Sequence, residues 1–142
     1  MGKTILITGA GSGFGKGVAI ALANRGHKVI ATTENSEQAD SLHSEAPQLQ
    51  VEKLDITSSD DISKAEKFEV DVLINNAGAG QTGPLADVPM ERVRQLFEVN
   101  VFGTLAITQA ILPKWLHEAA GGSLLFLQSL EYWLALRLAH IQ

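Results

Sequence analysis

Five short apolar runs, separated by helical patterns, restrict the fold of this 142-residue chain more than any other feature. Four are plain: Thr4–Thr8 (TILIT), Lys28–Thr32 (KVIAT), Asp71–Asn75 (DVLIN) and Ser123–Leu127 (SLLFL). A fifth, Leu49–Leu54 (LQVEKL), is weaker. Their centres are continuously apolar rather than alternating, the pattern of strands covered on both faces. Between them, Phe14–Arg25 carries Phe14, Val18 and Leu22 with the small Ala19, Ala21 and Ala23, and Gly26 follows as a stop signal. Ser36–Glu45 reads as a polar helix, and Asp60–Lys67 as a short one opened by Ser58 or Ser59. Pro89–Leu112 reads as a long helix with Val93, Leu96, Phe97, Asn100, Thr104, Ile107 and Ile111 on one face. Pro113 is expected to kink or end it.

The alternation is βαβαβαβαβ. Right-handed crossovers turn it into an α/β, Rossmann-like doubly wound parallel sheet of about five strands, with helices on both faces. The expected order is 3-2-1-4-5, with a ligand crevice where the order reverses, beside strands 1 and 4.

Composition narrows the function classes. The chain is 45% hydrophobic and 19% charged, enough for one domain with a core. Net charge is −5, with a pI near 5.3 and no basic patch, which argues against a nucleic-acid partner. No cysteine is present, so disulfides and thiolate metal sites are excluded. His27, His43, His117 and His140 lack helical metal-pair spacing, so no metal site is expected. The N-terminus lacks the regions of a signal peptide, and no apolar run reads as long enough to span a bilayer. These readings together point to a cytoplasmic protein without a membrane partner.

The chemistry concentrates at strand ends. TGAGSGFG, residues 8–15, joins the first strand to the first helix. Strict G-x-G-x-x-G fails: Gly9 and Gly11 fit, but Phe14 stands at the third glycine. The P-loop pattern fails as well. T-G-x-x-x-G-x-G fits, on Thr8, Gly9, Gly13 and Gly15. A helix N-terminus offers free N–H groups and partial positive charge to an anion, and glycines let the backbone approach a pyrophosphate. An ordinary glycine turn is the alternative reading.

Asn75-Asn76-Ala77-Gly78 lies at the end of the fourth strand, beside that loop. Asp55, in LDIT after the third strand, either accepts a bond from an adenine amino group or caps the next helix. Asn100 is a polar amide on an apolar helix face, and is either a structural bridge or a site residue.

With these motifs in order, the chain resembles the short-chain dehydrogenase/reductase family. TGAGSGFG, Asp55 of LDIT, NNAG at 75–78, Asn100 in FEVNVFG and GGSLLFLQS at 121–129 carry the resemblance, over residues 3 to about 129. It implies NAD or NADP at Thr8, Gly9, Gly11, Ser12, Gly13, Phe14 and Gly15. The adenine would lie near Asp55 and Ile56, and Asn76, Ala77 and Gly78 would line the site. Thr33 falls at the family's acidic, NAD-selecting position and Glu34 at its basic, NADP-selecting one. Glu34 would repel a phosphate, so NAD is favoured; Thr33 leaves room for one, so NADP stays open.

The family's reaction is hydride transfer between nicotinamide and a carbonyl or alcohol substrate. Asn100 and Ser129 match its catalytic Asn and Ser. Its Tyr-x-x-x-Lys is unmatched: Tyr132 stands too close to Ser129, and Leu136 follows four places later. Without that phenol and its cation, proton transfer has no carrier, so catalysis by this chain itself is expected to be absent. A non-catalytic dinucleotide-binding or interaction protein, or a non-functional truncated product, is the alternative.

The expected organisation is a dinucleotide-binding domain over residues 1–129 and a divergent tail over 130–142. In the tail, Leu130, Leu134, Leu138 and Ile141 would form one helical face beside Trp133. The fifth strand would otherwise be an exposed edge. The tail or a second chain is expected to cover it, or the protein to aggregate, with the long helix as the other surface for homo-oligomers.

Overall fold

The computed structural model describes residues 2–82, 84–117 and 123–126. Ser129, Tyr132 and the tail over 130–142, with its expected covering of the fifth strand, lie outside the described residues.

Five parallel strands form one sheet in the order β3-β2-β1-β4-β5. They are β1 (Thr4–Ile7), β2 (Lys28–Thr33), β3 (Gln50–Lys53), β4 (Val72–Asn75) and β5 (Ser123–Phe126). Strand alternation divides the core between the two sheet faces. Ile5, Ile7, Val29, Ala31, Val72 and Ile74 form one face. Against them pack Ala19 of α1 (Gly13–Asn24) and Leu42 of α2 (Ser36–Glu45). Leu6, Ile30 and Leu73 form the other face, packed with Ala65 of α3 (Ser59–Ala65) and with Ile107 and Ile111. The sheet is thus apolar on both sides, which is why its strands read as continuous apolar runs.

The long helical segment differs from its expected form. It comprises α4 (Met90–Phe97), a π-helical turn (Glu98–Gly103) and α5 (Thr104–His117). The wider turn shifts the register between the residues before it and those after it, and Phe97 is 53% exposed rather than on the inner face with Ile107 and Ile111. Pro113 does not end the helix, which runs on to His117. The turn past the proline is anchored from outside the helix. Trp115 Nε1–H donates to the Val70 carbonyl at 2.6 Å, and Lys114 Nζ to the Phe68 carbonyl at 3.2 Å.

One further expectation is corrected here. Met90–Trp115 spans 26 residues at a mean hydropathy of 1.3, long and apolar enough by length and composition to cross a bilayer. Its inner side chains, Ile107 and Ile111, belong to the core, while Phe97, Phe102 and Leu105 are exposed.

Candidate functional site

A cleft of about 810 Å³ opens at the carboxyl ends of β1, β2, β3 and β4, where the strand order reverses. It is built from the loops that leave these four strands and the mouth of one helix.

The first loop leaves β1 and enters α1. Thr8 is buried, and its hydroxyl oxygen accepts from the backbone N–H groups of Asn76 and Ala77, both at 3.1 Å. Asn76 answers with Nδ2, donating to the carbonyls of Thr8 (3.1 Å) and Gly9 (2.8 Å). The two strand exits are therefore stitched together. Two glycines make the stitch possible. Gly9 has φ +66°, and a Cβ there would stand 2.6 Å from Ala77 Cα. A Cβ on Gly15 would stand 2.6 Å from the Gly9 carbonyl oxygen. Thr8 and Gly15 thus lie behind the cleft, while Gly9, Gly11, Ser12, Gly13 and Phe14 line it. Phe14 is 71% exposed. It is the second residue of α1, one position before Gly15 and so about 100° around the helix from the buried stripe of Gly15 and Ala19.

The helices differ at their starts. Asn35 caps α2 through Gln38 N–H, and Ser58 caps α3 through Asp61 N–H. Ser12, at the same position of α1, makes no side-chain cap bond, and no acidic residue lies in the first turn. The α1 mouth therefore turns uncapped N–H groups and the positive end of the helix dipole towards the cleft.

At the β2 exit, Thr33 is fully buried and its hydroxyl donates to the Asn35 carbonyl at 2.9 Å. It does not line the cleft. Glu34 and Gln38 do, which corrects the expected placing of Thr33 at the ligand. Gln38 was not singled out in the sequence. Its signal was the Asn35-x-x-Gln38 spacing, an N-cap followed by an amide in the first turn.

At the β3 exit, Asp55, Ile56 and Thr57 line the cleft. Asp55 Oδ1 accepts from Thr57 N–H (2.8 Å) and from its hydroxyl (2.7 Å), which forms an Asx turn. Asp55 does not cap α3; Ser58 does. At the β4 exit, Asn76, Ala77, Gly78 and Ala79 line the opposite wall. Asn100, in the π turn, bridges to that wall. Its Oδ1 accepts from Ala79 N–H at 2.9 Å, and its Nδ2 donates to the Ala79 carbonyl at 2.8 Å. The structure thus brings together the glycine-loop, β3-exit and β4-exit residues expected from the sequence. Ser129 lies outside the described residues.

The residues present fit a dinucleotide. An uncapped helix mouth suits a diphosphate, glycines remove the Cβ atoms that would fill the cradle, and a carboxylate lies at each of the β2 and β3 exits. Fold and cleft together define a doubly wound α/β domain with an anion-accepting mouth. The family profile for short chain dehydrogenase matches residues 3–132, and the chain belongs to that oxidoreductase family. It is 35% identical over 139 residues to the 7alpha-hydroxysteroid dehydrogenase of Escherichia coli (strain K12), covering 91% of this chain and 54% of that one. It is 33% identical over 122 residues to Retinol dehydrogenase 8 of Homo sapiens, covering 78% and 39%. A solved 7 alpha-hydroxysteroid dehydrogenase complexed with NADH and 7-oxo glycochenodeoxycholic acid superposes with a TM-score of 0.76 at 36% identity. That match covers 88% of this chain and 52% of the other. The chain spans about half the length of the curated relatives it matches.

Proposed function

We propose that the cleft binds a nicotinamide dinucleotide, NAD in preference to NADP, in the service of hydride transfer between the nicotinamide and a carbonyl or alcohol. The single observation that carries this reading is the uncapped N-terminus of α1 above the glycine loop, beside two helices whose N-termini are capped. Its N–H groups would hold the diphosphate. Asp55 and Ile56 would border the adenine. Glu34 and Gln38 would meet the adjoining ribose, where the Glu34 carboxylate disfavours an added phosphate. Asn76, Ala77 and Gly78 would border the nicotinamide half. When bound, the nicotinamide supplies the hydride chemistry. Asn100 contributes by holding the Ala79 backbone, and Ser129 is assigned to the substrate oxygen.

Titration of the full chain with NAD and with NADP, followed by thermal unfolding, tests the proposal. A ligand that binds only the folded state raises stability by RT ln(1 + [L]/Kd). NAD should raise Tm saturably and at lower concentration than NADP, and Glu34→Arg should narrow or reverse that order. No shift with either nucleotide overturns the reading. A panel of secondary alcohols and ketones then decides whether the chain itself turns over. The helix face of Phe97, Phe102 and Leu105 is the surface we assign to self-association. Sedimentation as a monomer at every concentration would remove that assignment.

A further inference from the structure

Asp61 is the most deeply buried carboxylate among the described residues, with 3% of its side chain exposed, and it is not part of the cleft lining. An ionised group in that position is costly unless its oxygens are bonded. They are. Oδ2 accepts from Lys53 Nζ and from the backbone N–H of Asp55 (2.9 Å), and Oδ1 accepts from Lys64 Nζ (2.8 Å). The bonds from Lys53, then Lys64, then the Asp55 amide hold its carboxyl well below the usual carboxylate range.

The pattern Ser58-x-x-Asp61 is that of a capping box, in which the acidic side chain returns to the N–H of the cap residue. Half of the box is present: Ser58 Oγ accepts from Asp61 N–H at 3.4 Å. The returning half is diverted. Ser58 N–H donates instead to the Asp55 carbonyl at 3.0 Å, and the Asp61 carboxylate passes the cap to take Asp55 N–H. Asp55 is thereby held at its amide by Asp61, at its carbonyl by Ser58 and at Oδ1 by Thr57. The bond from Asp61 is the one that comes from a separate element, α3.

We propose that Asp61 is a positioning residue for the adenine side of the cleft. Its carboxylate, anchored by Lys53 at the end of β3 and Lys64 on α3, fixes the turn over residues 54–57 so that Asp55 is presented to the ligand. The inference rests on the reading of the cleft as a dinucleotide site.

The test uses the full chain as wild type, Asp61→Ala, the isosteric Asp61→Asn, and Leu49→Ala. Leu49 is a core residue remote from the cleft lining, and its truncation lowers stability by a different route. Two readouts are needed: amide hydrogen exchange at residues 55–58, and affinity for ADP-ribose. Asp61→Ala should lose protection at Asp55 and Thr57 and bind ADP-ribose about tenfold more weakly, the order expected when one charge-assisted bond is removed. Asp61→Asn, which keeps an acceptor oxygen, should show the same changes in smaller degree. Leu49→Ala should lower Tm yet keep both local protection and affinity. If Asp61→Ala does not fold, Asp61→Asn decides alone. Unchanged protection at Asp55 in the Asp61 variants overturns the inference, as does an affinity loss that Leu49→Ala shares. A wild type that fails to bind ADP-ribose removes the dinucleotide reading, while the exchange data still judge whether Asp61 holds the turn.

Discussion

On the β4 side of the cleft, a hydroxyl and two amides tie backbone to backbone: Thr8 to Asn76 and Ala77, Asn76 to Thr8 and Gly9, Asn100 to Ala79. None of these groups titrates near neutral pH. On the β3 side, the turn that carries Asp55 hangs on one buried carboxylate and two lysines. The first wall is held by shape and neutral hydrogen bonds, the second by charge. The two should therefore fail under different perturbations.

The largest effect is expected on the neutral wall, at Gly9. Gly9→Ala must place a methyl 2.6 Å from Ala77 Cα while keeping φ at +66°. Overpacking and left-handed strain together should cost about 3 kcal/mol, read from urea unfolding at pH 7. Asn76→Ala comes next. It leaves the Thr8 and Gly9 carbonyls without the amide donor, and should cost about 2 kcal/mol. Both losses should be the same at pH 7 and pH 5, because nothing in this wall gains a proton. A pH-dependent loss would break the distinction between the two walls.

The charged wall should behave in the opposite way. The folded pKa of Asp61 is depressed below its ordinary value of 3.8, chiefly by Lys53 and then by Lys64. A depressed folded pKa gives stability that is present above the unfolded value and lost as pH falls towards the folded one. Wild type should therefore be more stable than Asp61→Asn at pH 7. The gap should close as pH is lowered below about 4, where the unfolded carboxylate starts to bind protons that the folded one refuses. Thermal unfolding of both proteins across that range measures the gap. A gap that stays constant to pH 3 would mean that the carboxylate charge does not hold the turn.

These differences also explain which parts could be read from the sequence. The strands were legible because both sheet faces are covered, so their apolar runs are continuous; α2 was legible because a cap and Pro47 bracket it. The glycine loop and NNAG were legible as a pair because strand order places them side by side. The π turn was not legible. A constant 3.6-residue period was carried through Asn100, and the wider turn there moved Phe97 out of register with Ile107. The burial of Thr33 was not legible, because β2 runs one residue further than its apolar run. Asp61 was missed because a charged residue on a polar helix reads as solvated. Its burial depends on Lys53, eight residues away on a strand, and no local pattern records that contact.

The smallest effect sharpens the comparison by removing burial and keeping charge. Lys16 on α1 pairs with Glu45 on α2 at 2.9 Å, close to the 2.8 Å between Lys64 and Asp61, but the two side chains are 31% and 52% exposed. Water already solvates both ends, so the Coulomb gain is offset by screening and by the entropy of holding two long side chains. Lys16→Ala should change unfolding free energy by no more than about 0.5 kcal/mol, and added salt should erase the difference. Asp61→Asn should keep more of its effect in the same salt, since the carboxylate itself is 3% exposed and also accepts from the Asp55 amide, although Lys53 and Lys64 reach solvent. If the two variants prove equally small and equally salt-sensitive, the β3 wall is held by its Asx turn alone. The contrast between a charged and a neutral wall would then disappear.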